Sequence, residues 1–157
     1  MKTGTHPVAE EIVAAIERAA DAGTALADAV ARLRAARPHY NWVGIYVIEG
    51  AELVLGPYLG KPSPHTRIPL GRGICGAAAT QKATIIVDDV HSDPRYLACS
   101  LDTRSEIVVP IMRGDDVLGE IDIDSDQPAA FTAVDRELLE IVARALAKVL
   151  GVWPRLP

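Results

Sequence analysis

Residues 117–124 read Val-Leu-Gly-Glu-Ile-Asp-Ile-Asp, and this run constrains the fold more than any other stretch of the chain. Its period is two, the period of a strand. Val117, Gly119, Ile121 and Ile123 fall on one face; Leu118, Glu120, Asp122 and Asp124 fall on the other. Residues 105–112 form an apolar strand interrupted by Glu106, and the polar stretch 113–116 joins the two as a hairpin. A second hairpin is expected earlier. Residues 41–48 alternate and are rich in aromatic and β-branched side chains, Glu49-Gly50 makes a turn, and residues 52–55 return.

Helical patterns flank these strands. Val8, Ile12 and Ile16, then Leu26, Val30 and Leu33, recur at helical spacing, with a break at Gly23 and Thr24 as the second N-cap. Thr132 and Asp135 form a capping box, with Asp in place of Glu, ahead of a last helix whose apolar face is Leu138, Leu139, Val142, Leu146 and Val149. Between the hairpins the pattern predicts a glycine- and proline-rich loop over 56–66, a short strand at 67–69 and a small-residue helix at 74–81. A strand at 84–87 and a long polar connection over 88–101 follow. The expected class is α+β, with a mainly antiparallel sheet and the N- and C-terminal helices packed on one face. The 157 residues fit one domain, with helices in 1–38 and a core over 40–150.

Composition removes several function classes. Net charge is −5 and no Lys/Arg cluster is present, so nucleic acid is not an expected partner. No apolar run approaches the roughly 20 residues of a membrane span. The first residues lack a basic stretch followed by an apolar one and carry Glu10 and Glu11, which points to the cytoplasm. Thiols stay reduced there, so Cys75 and Cys99 are either buried structural residues or reactive ones.

The acids on one strand face must be solvated or given a positive partner. An ammonium group would serve; so would Ca²⁺ or Mg²⁺, since the carboxylates alone are an all-oxygen set. No calcium-loop spacing occurs, and the histidines are scattered singly. Trp42 and Tyr46 share a face with Gly44 and Ile48, as core or as an aromatic wall beside a ligand. Cys75 follows Arg72 near a helix start, where the dipole and the guanidinium favour a thiolate. Cys99 lies in the long connection, the more accessible position for a nucleophile.

The stretches NWVGIYV, ELVLGPYLGKP, RIPLGRGICG, DV-H-P-LAC, RSEIVVPI and LGEIDIDSD together resemble the GAF-domain family of free methionine-(R)-sulfoxide reductases, from about Tyr40 to Leu150. The resemblance implies a six-stranded antiparallel sheet with a closed pocket and a thioredoxin-linked oxidoreductase acting on free methionine-(R)-sulfoxide. No cofactor is implied, and a homodimer is left open. It implies that Cys99 is the nucleophile, with Cys75 the cysteine of the GRG-x-CG motif. It also implies that Glu106, Asp122 and Asp124 are the pocket acids and that Trp42 and Tyr46 form the wall. Many family members carry a third cysteine, a usual disulfide partner of the nucleophile, where this chain has His65. Cys75 or an external thiol is then left to resolve the sulfenic acid formed on Cys99. The alternative from another class is a non-catalytic GAF sensor that binds an amine or amino acid and needs the acids but not Cys99.

Overall fold

The computed structural model describes residues 6–98 and 100–150. Four α-helices and six strands follow the order α1 (Pro7–Arg18), α2 (Ala22–Ala36), β1 (Trp42–Glu49), β2 (Glu52–Leu59), β3 (Arg67–Pro69), α3 (Gly73–Gln81), β4 (Ile85–Val87), β5 (Ser105–Arg113), β6 (Asp116–Ser125) and α4 (Ala133–Leu150). The strands form one sheet in the order β3-β2-β1-β6-β5-β4, antiparallel at every pairing. The expected α+β class therefore holds, and among the described residues no helix is long and apolar enough to cross a membrane.

The main core lies between one sheet face and α1, α2 and α4. Val43, Ile45, Ile107, Val109, Ile121 and Ile123 meet Ile12, Leu26, Leu33, Leu139, Val142 and Leu146 there. The opposite face carries a second, smaller core under α3, built from Trp42, Tyr46, Leu53, Ile74, Cys75 and Val108. The terminal helices thus share one face, as the pattern implies, and α3 covers part of the other together with Val90, Tyr96 and Leu97 of the long connection.

Local chemistry sets the ends. Asp21, not Thr24, caps α2: its carboxylate accepts the Thr24 N–H at 2.7 Å, which places Gly23 inside the first turn. The α4 capping box forms: the Thr132 hydroxyl accepts the Val134 N–H at 3.2 Å, and the Asp135 carboxylate accepts the Thr132 N–H at 2.8 Å. Asp135 also receives the Tyr40 hydroxyl, which ties the start of α4 to the chain entering β1. The expected loop over 56–66 is shorter, because β2 runs on to Leu59 past an irregularity at Gly56-Pro57.

One register fact corrects the simple alternation of the last strand. Ile111 faces Gly119 and Met112 faces Val117, so Leu118 is the extra residue of a β-bulge. The bulge shifts the phase by one residue, and Leu118 packs into the helix-side core while Val117 turns toward the face of the acids. Gly119 at this bulge is required for close approach: a Cβ there would lie 2.3 Å from the Tyr46 carbonyl oxygen. Gly119→Ala must therefore push β1 and β6 apart, and urea unfolding should show a loss of about 2 kcal/mol or more.

Candidate active site

Three strands build the floor. β6 lies between β1 and β5, so each of its acids has a neighbour on both sides. Asp124 sits between Trp42 and Glu106, Asp122 between Gly44 and Val108, and Glu120 between Tyr46 and Pro110. The spacing Trp-x-Gly-x-Tyr on β1 thus meets Glu-x-Asp-x-Asp on β6, antiparallel and in register. Pro110 is tolerated in β5 because it lies past the end of β4, which pairs only with Glu106, Ile107 and Val108.

The acids are not on a solvated face. Glu120 is 0% exposed, Asp122 2%, Asp124 3% and Glu106 5%. Both Glu120 carboxylate oxygens, Asp122 Oδ1 and Asp124 Oδ1 are buried without a hydrogen-bond partner. Such groups are costly as anions unless a proton or a cation joins them. Burial pushes Glu120 and Asp124 well above the ordinary carboxylate range, and the neighbouring Asp122 charge adds to the rise. Burial also raises Asp122, with contacts to Glu106 and Cys75 partly offsetting it. Glu120 belongs to this cluster although the motif-based reading assigns only Glu106, Asp122 and Asp124. Its signal was the two-residue period of residues 119–124, which runs unbroken from just past the bulge at Leu118.

Cys75 comes down on the acids from α3. Gly76 lets the first turn of α3 pack against the end of β3 and the turn after it: a Cβ there would be 2.8 Å from the Gly71 nitrogen and 3.0 Å from the Pro69 oxygen. Cys75 is 5% exposed, and one donor atom from each of Cys75, Glu106 and Asp122 lies within 4.8 Å of the others. The expectation of a thiolate at this position is overturned. Burial, then the charges of Asp122, Glu120, Glu106 and Asp124, hold the Cys75 thiol well above its usual value. These terms outweigh the helix dipole, and Arg72 is exposed outside the pocket.

Trp42 closes one side. Its ring folds over Gly44, where a Cβ would meet Cη2 at 2.4 Å, and over Gly60, where a Cβ would meet Cδ1 at 2.6 Å. The indole N–H donates to the Lys61 carbonyl at 2.9 Å, and the ring stacks on Tyr58 with centroids 5.5 Å apart. Tyr46 donates its hydroxyl proton to the His65 carbonyl at 2.8 Å. A cavity of about 390 Å³ opens beside this wall and reaches Asp124, with Lys61, Ser100 and Thr103 among its lining.

Known proteins share this sequence pattern and fold. Residues 6–150 match the GAF domain family. The free methionine-R-sulfoxide reductase of Saccharomyces cerevisiae is 46% identical over 112 residues, which is 69% of this chain and 62% of the yeast protein. That of Escherichia coli is 40% identical over 111 residues, 71% of this chain and 67% of the bacterial one. The free methionine-R-sulfoxide reductase of Neisseria meningitidis, solved in complex with its substrate, superposes with a TM-score of 0.86 at 33% identity, covering 96% of this chain and 94% of that one. The chain belongs to the GAF-domain family of free methionine-R-sulfoxide reductases.

Within this family member, Cys99 lies outside the described residues. Its flanking segment is tied across the pocket mouth. His65 Nε2–H donates to the Ala98 carbonyl at 3.0 Å, and Lys61 forms an ion pair with Asp102. His65 therefore touches the backbone next to Cys99, joining the β2–β3 loop to the long connection without a covalent bond.

The buried acids make a testable pH signature. Their ordinary values are 3.8 for Asp and 4.5 for Glu, and the fold raises those of Glu120, Asp122 and Asp124. A raised carboxyl stabilises the fold below its unfolded value, and that contribution fades as pH rises through the folded one. Asp124→Asn removes one such group. The difference in Tm, variant minus wild type, should therefore grow in the variant's favour as pH rises above about 4. Thermal melts of the ligand-free proteins across pH check this, and a pH-independent difference would leave Asp124 unburdened by burial.

Proposed function

We propose that this protein reduces free L-methionine-(R)-sulfoxide to methionine by thiol chemistry at Cys99. One observation carries the reading: a buried row of carboxylates, three of them with unpartnered oxygens, lies beside the Trp42 wall, and its Asp124 end borders a cavity of about 390 Å³. Such a row accepts a cationic group and rejects a neutral one. A free amino acid brings an α-ammonium group, with a side chain short enough to leave its sulfur near Trp42. The substrate-bound relative from Neisseria meningitidis supports the same choice.

In the proposed reaction the ammonium lies among Glu106, Asp122 and Asp124, with Glu120 behind them. The Cys99 thiolate attacks the sulfoxide sulfur. A protonated acid gives its proton to the sulfoxide oxygen, a role that the raised values of Glu120 and Asp124 allow. The oxygen transfers to Cys99 as a sulfenic acid, and methionine leaves carrying the electron pair. A second thiol then condenses with the sulfenic acid, releasing water, and a thioredoxin-type dithiol reduces the disulfide. Cys75 can supply that second thiol only by leaving surroundings that hold its proton, so an external thiol competes with it for this step. The sensor alternative uses the same acids but has no role for Cys99.

Two outcomes follow from this chemistry. An internal peptide methionine sulfoxide lacks the ammonium and would leave the carboxylates unpaired at a cost of several kcal/mol, about 2–5. Its kcat/KM should fall at least about thirtyfold below that of the free amino acid, and equal turnover of the two would sink the proposal. The cysteine roles separate in methionine released per chain. Cys99→Ser should release none, while Cys75→Ser should release about one equivalent in a single turnover, because attack precedes resolution. Cys75→Ser should stall with thioredoxin if Cys75 resolves and turn over if an external thiol does. Release of the first equivalent by Cys99→Ser would remove it as the nucleophile.

A further inference from the structure

We propose that the same pocket is a binding site for a zinc-class divalent cation, held by Cys75 Sγ and the carboxylates of Glu106 and Asp122, in competition with the substrate's ammonium group. The metal site stands on this geometry alone; the competition rests on the proposed substrate reading.

Three different elements deliver the donors. α3 brings Cys75, β5 brings Glu106 and β6 brings Asp122. Their ligand atoms lie within 4.8 Å of one another, close enough for small side-chain rotations to reach bonding distances of about 2.0–2.3 Å. The donors converge because the sheet and α3 are packed together. A second observation marks the site as more than a group of acids. Asp122 is 2% exposed with Oδ1 unpartnered, and the 0% exposed Glu120 beside it has both oxygens unpartnered. Glu120 is thus available as a fourth donor.

The donor set selects the class of ion. The carboxylates by themselves would suit Ca²⁺ or Mg²⁺, which demand more oxygens. Adding a sulfur converts the set to one suited to Zn²⁺ or Co²⁺. Binding breaks the Cys75 S–H bond, forms an S–metal bond and releases the proton to solvent, with no change of oxidation state. A divalent ion also offsets two of the buried negative charges, where an ammonium offsets one. The cavity that reaches Asp124 gives the ion a path inward.

Cobalt alone is the probe. Reduced Cys99→Ser protein, whose remaining thiol is Cys75, is titrated with Co²⁺ and the thiolate-to-cobalt charge-transfer absorption is recorded. One cobalt per chain with that absorption is expected, and Zn²⁺ should bleach it. Asp122→Asn in the same background should weaken cobalt binding at least about tenfold, and further replacement of Cys75 by Ser should remove the absorption. Absence of the band, or a cobalt affinity untouched by Asp122→Asn, overturns the site. Free L-methionine should raise the apparent cobalt Kd in proportion to its concentration. If the band forms and methionine leaves it unmoved, the metal site holds and the shared ammonium position is overturned.

Discussion

Four carboxylates buried on one face of a β-sheet are the constraint around which this molecule is arranged. Water would solvate them at almost no cost; the fold removes that water and, among the described residues, leaves oxygens of Glu120, Asp122 and Asp124 without a hydrogen-bond partner. A row of this kind persists only if the rest of the structure supplies enough stability elsewhere and if protons or a cation join it. The large apolar core between the sheet and α1, α2 and α4 provides the first condition. The second condition makes the pocket a receptor for positive charge.

The neighbouring features follow from that row. Gly44 opposite Asp122 leaves space that the Trp42 ring partly occupies, and Gly60 clears the other side of the same ring. Gly76 lets α3 start tight against Pro69 and Gly71, and the next residue back, Cys75, meets Glu106 and Asp122. The β2–β3 loop then does three things through its backbone and side chains. It accepts the Trp42 and Tyr46 protons on carbonyls of Lys61 and His65, pairs Lys61 with Asp102, and reaches Ala98 through His65. The wall of the pocket and the segment before Cys99 are thus held by a single loop. The histidine there keeps a reversible, non-covalent contact where many family members place a cysteine.

A GAF fold by itself decides little about chemistry, because one architecture carries sensors and enzymes alike. The distinction lies in what fills the sheet face opposite the helices. Here that face holds partner-poor acids, an immobilised indole and a protonated thiol. The acids would serve a sensor or a reductase equally well. A reductase needs thiol chemistry at Cys99 and a sensor does not; the burial that raises the Cys75 thiol disfavours that residue for first attack.

Period and turn chemistry made most of the architecture legible from the chain: the two hairpins, the amphipathic terminal helices and the Thr132–Asp135 cap all follow from local sequence. The apolar-acid alternation of residues 119–124 likewise announced two unlike sheet faces. Three things needed the folded molecule. The bulge at Leu118 depends on how β5 and β6 register, and no single-strand pattern carries that information. The burial of Glu120, whose face the period already gives, depends on β6 lying between β1 and β5, a pairing set by residues far away in sequence. The raised thiol of Cys75 comes first from its burial and then from acids on β5 and β6, whereas its own neighbours, Arg72 and the helix start, favour the thiolate. Local sequence sets backbone preference because those forces act over a few residues. Electrostatics in a buried pocket act through space, so only tertiary structure could decide which charges share it.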